Sequence, residues 1–248
     1  MRLNVYLQKA GIGSRREAER LVAEGRVAVN GAAALATTPV NDGDSVTLNG
    51  AAVAPDLRAQ PRLFMLNKPL DVLVTGHDPQ GRPTVFDLPA LKSPALPRLM
   101  YVGRLDVNSE GLLLLSSDGP LAQALMSPAN ALQRVYRVRL RGRLRPGQLA
   151  SLARGVTADG IYYRGVEAVA EAEATEAANS WYRIILREGK NREIRKLMEH
   201  FDCVVNRLIR VQYGPFGLDD LPVGAVKEVA PLKVKAFIDH LVAKGIGL

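Results

Sequence analysis

The sequence predicts an α+β protein made of a small N-terminal domain and a larger C-terminal one. Three features carry that reading. The first 50 residues run helix, helix, strand and an Asn-Gly turn, a complete layout near the lower size limit for an independent core. The next stretch, AAVAPDLRAQPR at 51–62, has two prolines, small residues and no periodicity, and reads as a linker. Beyond it, short apolar runs and a strand of alternating arginines are interleaved with short helical segments, which sets the larger domain at 63–230 and leaves 231–248 as a helical extension.

Bulk properties narrow the function classes. The 248 residues, 47% hydrophobic and 23% charged, suit a globular protein with a sizeable core. A formal charge of +8 points to a polyanionic partner, and the charge is segregated. Between Asp118 and Asp159 there is no acidic residue, while Arg134, Arg137, Arg139, Arg141, Arg143, Arg145 and Arg154 all fall there, a nucleic-acid footprint. Cys203 is the only cysteine, so no intrachain disulfide forms, and its apolar setting marks a core position. His77, His200 and His240 show no ligand spacing, so neither a metal nor another cofactor is expected. No apolar run approaches the roughly 20 residues that span a bilayer, and no signal-like core opens the chain, so a cytoplasmic protein without membrane contact is expected.

In chain order, Leu3 to Ala10 carries apolar positions suited to a short helix ending at Gly11. Ser14 and Glu17 have the spacing of a capping box, opening a helix that runs to Glu24 and stops at Gly25. Arg26 to Val29 alternates as a strand, Asn30-Gly31 is a hairpin turn, and Val46 to Leu48 is a further strand ending at Asn49-Gly50. The stretch LNVYLQKAGIGSRREAERLVAEGRVAVNG resembles an alpha-L RNA-binding domain, a module shared with a ribosomal protein of the small subunit. That resemblance implies phosphate contacts from Arg15, Arg16, Arg20 and Arg26; the competing reading pairs these arginines with Glu17, Glu19 and Glu24 in surface salt bridges.

Leu63 to Leu66 is an apolar strand entering Asn67-Lys68-Pro69. Gly81 to Pro89 reads as a loop with one helical turn between its prolines. The stretch VGRLDVNSEGLLLLSSDG at 102–119 organises the larger domain. Its run Leu112 to Leu115 suits a strand buried on both faces, and Asp106 lies on the polar loop leading into it. Leu121 to Met126 begins a short helix after Asp118-Gly119-Pro120. Arg134 to Leu144 alternates arginine with mostly apolar residues, a strand with one basic and one buried face, the latter interrupted by Tyr136. Gln148 to Ala153 is a helix closed by Gly155, and Glu167, Glu171, Glu173 and Glu176 form an acidic patch expected to be solvated and away from RNA. Trp181 to Leu186 is a strand, Asn191 is placed to cap a helix running to Phe201, and Val204 to Tyr213 is a strand carrying Arg207 and Arg210. Val234, Phe237, Ile238 and Leu241 give the C-terminal extension helical spacing, without a functional account.

Three separated stretches, Asn67-Lys68-Pro69, Gly103-Arg104-Leu105-Asp106 with its leucine run, and Glu188-Gly189-Lys190-Asn191-Arg192-Glu193-Ile194-Arg195, together resemble the motifs of the pseudouridine synthases of the RsuA and RluB type. The resemblance implies a mixed sheet carrying a basic central cleft, and isomerisation of a uridine to pseudouridine in ribosomal RNA, either naked or in a pre-ribosomal particle. It places catalysis on Asp106, its basic partner at Arg195, a stacking role beneath the uridine on Tyr136, and RNA contacts on Arg104 and Arg137. Glu193 stands where many relatives carry Gln. Asp106 is expected either to attack the sugar or to remove a proton from it. Gly81 to Pro89, Asn191 to Lys196 and the Arg207 to Gly214 stretch resemble the RluB branch and imply large-subunit RNA, with the protein acting as a monomer. Small-subunit or transfer RNA as substrate, and a non-catalytic RNA-binding ribosome-assembly factor, are the alternatives.

Overall fold

The computed structural model describes residues 1–55, 60–171 and 179–246 and separates into two compact units, Met1–Gln60 and Pro61–Leu248. The first unit holds helices α1 (Leu3–Lys9) and α2 (Arg15–Ala23) and the strands β1 (Val27–Val29), β2 (Ala32–Ala33), β3 (Val46–Leu48) and β4 (Ala51–Ala52), in sheet order β2-β1-β3-β4. Ser14 caps α2 as expected: its hydroxyl accepts from the Glu17 N–H, and Glu17 accepts from the Ser14 N–H in return. Leu3, Leu7, Ala18 and Leu21 pack with Val27 and Val46 into a small core. Both Asn-Gly pairs turn with positive φ at each residue, 53° and 78° at Asn30-Gly31 and 50° and 82° at Asn49-Gly50. The second turn folds β4 back on β3, so Ala51 and Ala52 belong to this sheet and not to the linker.

The second unit is built on strands β5 (Leu63–Lys68), β6 (Met100–Val102), β7 (Glu110–Ser116), β8 (Arg134–Arg141), β9 (Val156–Ala158), β10 (Ile161–Tyr163), β11 (Glu167–Ala170), β12 (Asn179–Leu186), β13 (Val204–Tyr213), β14 (Phe216–Gly217) and β15 (Val226–Glu228). Its helices are α3 (Gly119–Met126), α4 (Pro146–Arg154), α5 (Glu193–His200) and α6 (Pro231–Ala243). The main sheet runs β11-β12-β8-β13-β7-β5-β15, with β6 added on β7 and β14 on β13. Only β13 and β7 pair in parallel among these, which makes the sheet mixed. Among the described residues no helix is long and apolar enough to cross a membrane.

All seven residues of β7 are buried, as the leucine run implied. Alternation decides what each leucine meets. Leu113 and Leu115 join the core formed with α4 and α5, through Leu152, Ile194, Leu197 and Met198. Leu112 and Leu114 face the other way and pack with Leu121 and Leu125 of α3 and Val234, Phe237 and Leu241 of α6. The C-terminal extension is therefore half of a core. Cys203 is buried, and burial pushes its thiol above the usual range.

Three local expectations are corrected. β8 stops at Arg141, short of Leu144, because Gly142 turns the chain at φ 101°. Asn191 does not cap α5; Arg192 takes the cap position in the left-handed region at φ 52°, and the Glu193 carboxylate accepts from the Lys190 N–H instead. The acidic patch is not separate from the basic residues: Glu171 binds Arg137 through both Nε and Nη2, and Glu167 binds Arg187. Glu173 and Glu176 lie outside the described residues.

Phe216 and Phe237 meet edge to face at 5.5 Å between ring centroids, joining α6 to the sheet. Phe237→Ala should destabilise the larger unit by about 3–5 kcal/mol in denaturant titration. A loss below about 1 kcal/mol would show that α6 is peripheral to the fold.

Candidate active site

A cavity of about 780 Å³ opens among the Asp106 loop, β8, β13 and the start of α5. Its construction begins in β5. Lys68, the last residue of that strand, is completely buried. Its ammonium donates to the carbonyls of Pro69 and Ser109, each at 2.8 Å, and reaches Val107 O at 3.5 Å. Burial pulls Lys68 down to about 8, against the attraction of Asp71, Glu110 and Asp106.

The remaining carbonyls of this loop are held as well. Ser109 N–H donates to Asp106 O at 3.0 Å, Asp71 N–H to Val107 O at 3.0 Å, and Arg195 Nη2 to Asn108 O at 2.7 Å. Four successive carbonyls, 106 to 109, are thus tied down, and the Asp106 side chain is left one-third exposed on the cavity wall. The loop then enters β7 at Gly111, where φ is 97° and a Cβ would collide with the Arg210 carbonyl of β13. Only glycine lets the two strands meet there.

Asp106, Tyr136, Arg195 and Arg104 all line the cavity, so four of the residues singled out in the sequence come together. Tyr136 is buried, its backbone opposite Ile184 on one side and Arg210 on the other. The expected pairing of Arg195 with Asp106 is corrected. Among the described residues the ion pair of Asp106 is with Arg192, Nη1 4.0 Å from Oδ2, while Arg195 donates from Nη1 and Nη2 to the carbonyls of Val205 and Asn108 and leaves its Nε without a partner. Burial and the charge of Arg192 draw the Arg195 guanidinium below its ordinary range, and Asp106 opposes them. Arg195 is therefore placed to position the loop. Arg192 was not legible, because a left-handed cap is a conformation that Asn adopts more readily than Arg.

Three further placements differ from expectation. Arg137 does not face the cavity: it follows Tyr136 in the strand, so it points from the opposite side of the sheet, where it stacks on Trp181 at 4.8 Å and binds Glu171. Gly81 to Pro89 contributes no residue to the cavity. That segment is pinned internally, with Asp78 accepting from the main chain and guanidinium of Arg82 and drawn down to about 2 by those bonds. In the N-terminal unit, Arg20 and Arg26 bind Glu24 at 2.6 and 3.2 Å, whereas Arg15 and Arg16 are exposed and form no ion pair among the described residues.

Sequence reading named Arg210 and Arg134 but did not assign them to the cavity. Arg210 is only 2% exposed, lies over the Tyr213 ring at 5.1 Å and donates from Nε to Leu112 O, and its Nη2 has no partner. Arg134 stacks on the same ring at 4.7 Å and donates to the Tyr213 hydroxyl. Their strand position was legible, but not that the Tyr213 ring gathers both guanidiniums, which depends on β13 pairing with β8. In all, seven arginines and one lysine line the cavity against three carboxylates. Such a wall attracts a polyanion, with the Asp106 carboxylate exposed upon it.

Comparison with known proteins is consistent across the chain. Residues 62–200 match the family model of RNA pseudouridylate synthase, and residues 1–46 match the S4 domain. The chain is 41% identical over 229 residues to an uncharacterized RNA pseudouridine synthase of Rickettsia felis, covering 92% of this chain and 96% of that one. It is 40% identical over 245 residues to ribosomal large subunit pseudouridine synthase B of Xanthomonas campestris, covering 95% of this chain but 48% of the relative. The protein of the same name from Pseudomonas aeruginosa is 37% identical over 251 residues, with 100% and 64% covered. The chain thus spans nearly all of the first relative, about half of the second and just under two thirds of the third. A crystal structure of a pseudouridylate synthase shares the fold, with a TM-score of 0.65 at 20% identity, covering 95% of this chain and 98% of that one.

Glu193 on the cavity wall supplies a pH test. It is buried with Oε1 unpartnered, and burial, reinforced by the charge of Glu188, pushes it up to about 7. A carboxyl raised in the fold favours the folded state below its unfolded value, and that contribution is lost as pH rises through about 7. Glu193→Gln keeps an acceptor for the Lys190 N–H without the charge. Its stability should match the wild type at pH 4.5 and exceed it at pH 8 by about 1–3 kcal/mol. A difference that does not change with pH would contradict the assignment.

Proposed function

Because the chain belongs to the RNA pseudouridylate synthase family, isomerases that convert uridine to pseudouridine within RNA, we propose that Asp106 is its catalytic residue and that its substrate is large-subunit ribosomal RNA. The observation that carries the catalytic assignment is the fixed loop: a carboxylate on a turn whose four main-chain carbonyls all accept hydrogen bonds, sharing a strongly cationic cavity with Tyr136. The substrate assignment is supported by the two relatives named for the large subunit at 37% and 40% identity, and by the sequence resemblance of stretches 191–196 and 207–214 to that branch, stretches that contribute Arg192, Arg195, Arg210 and Tyr213 to the cavity.

The reaction requires that the C1′–N1 bond break, the base turn, and a C1′–C5 bond form, with the C5 proton lost and N1 protonated. Nothing is added or removed overall. A uridine in folded RNA reaches Asp106 only when turned out of its stack, at a cost of a few kcal/mol. Cavity arginines such as Arg104 and Arg134 offset that cost by binding the flanking phosphates. Asp106 then acts on the ribose, and the ring of Tyr136 supports the base and serves the closing proton transfer. Arg195, through Asn108 O, keeps the loop in register. In the S4 domain, Arg15 and Arg16 are exposed, form no ion pair among the described residues and are placed to take phosphate.

The test incubates purified wild type and Asp106→Asn with separate transcripts of the two ribosomal RNAs and with transfer RNA, then maps pseudouridines by carbodiimide-blocked primer extension. Wild type should modify large-subunit RNA. Asp106→Asn should show no turnover while its RNA affinity stays within a few-fold. Turnover by the variant overturns the role of Asp106. Modification confined to small-subunit or transfer RNA overturns the substrate, and none by the wild type makes the protein a binding factor.

A further inference from the structure

We propose that the face of the main sheet opposite the cavity, across β12, β8 and β13, is a second RNA-binding surface that grips a separate segment of the substrate RNA. α3 and α6 cover that face over β5 and β7, where Leu112 and Leu114 lie, and leave it bare beyond β13. What it presents there is set by register. Arg137 lies between Arg183 and Ile209, Arg139 between Trp181 and Arg207, and Arg141 between Asn179 and Val204. The five arginines are exposed. Arg137 is neutralised by Glu171 and Arg207 by Glu110, while Arg139, Arg141 and Arg183 form no ion pair among the described residues.

Two features of this surface point to a ligand. Like charges directly opposite one another across strands destabilise a sheet, and here Arg183 faces Arg137 and Arg139 faces Arg207. Glu171 and Glu110 each offset one arginine of these two pairs and leave Arg183 and Arg139 for an external anion. Along β8 the arginines on this face recur about every 7 Å, twice the strand rise, comparable with the spacing of successive phosphates on a nucleic acid strand. Trp181, half-buried among them and the only tryptophan of the chain, supplies a ring on which a base can stack. An aromatic ring set among evenly spaced cations suits a nucleic acid strand, whose bases stack while its phosphates pair. The cavity engages the uridine on one face of the sheet, and this surface holds a neighbouring stretch of the same folded RNA on the other. The inference rests on RNA being the substrate, but not on which residue is catalytic.

The experiment combines Arg139→Gln, Arg141→Gln and Arg183→Gln in the full chain and measures binding to a large-subunit ribosomal RNA transcript across a series of salt concentrations. The slope of log affinity against log salt should flatten by roughly 2–3, and affinity at low salt should fall at least about tenfold. The melting temperature of the triple variant should equal or exceed that of the wild type, because cross-strand repulsion is relieved. RNA should also change the emission of Trp181, in wild type and in Asp106→Asn alike. An unchanged salt slope with unchanged Trp181 emission overturns the proposal, as does a melting temperature that falls in step with affinity, which would assign these arginines to the fold. If wild type binds with these signatures but modifies no uridine, the function proposed above fails and this surface stands.

Discussion

The structure of the larger unit turns on one buried cation. Lys68 ends β5 with its ammonium enclosed and no carboxylate bonded to it among the described residues, and three main-chain carbonyls take the place of its hydration shell. Burying a charge in that way is expensive, and the drop of Lys68 to about 8 records the strain. What the arrangement secures is the loop from Asp106 to Ser109, two of whose carbonyls Lys68 holds. The other anchors, Asp71 and Arg195, complete the job from outside the strand. The antiparallel ladder that sets Lys68 against Gly111 makes the geometry possible, since it brings the end of one strand to the start of the next.

From that point the sheet separates its two tasks by alternation. One face of β8 gives Tyr136 to the cavity and Val138 and Leu140 to the core, while the other gives Arg137, Arg139 and Arg141 to solvent. Neighbouring residues of one strand therefore do unrelated work. The same rule distributes the four leucines of β7 between two cores, and explains why α6, which closes one of them, is needed at all.

Much of this was legible. The capping box at Ser14, both Asn-Gly turns and the leucine strand depend on local rules, and each formed as read. Asp106, Tyr136, Arg104 and Arg195 were found through motif order, and all four reach the cavity. The failures share a cause. Whether Arg137 faces the cavity depends on strand parity relative to Tyr136, which the sequence showed; its pairing with Glu171 depends on β11 lying beside β12, which it did not. Arg192 owes its position to a left-handed cap, an irregularity that periodicity averages away, and Arg210 to the pairing of β13 with β7 and β8. Lys68 read as part of a motif, but its burial required knowing that β7 and the Asp106 loop close over it.

The central claim is that Asp106 works because Lys68 holds its loop, and single-turnover kinetics of Lys68→Met tests it most directly. The substitution preserves the apolar stem and removes the three hydrogen bonds. Measured at saturating ribosomal RNA and well below the melting temperature of the variant, the rate of pseudouridine formation should fall at least about a hundredfold while RNA affinity stays within a few-fold. A folded Lys68→Met protein that turns over at the wild-type rate would contradict the account.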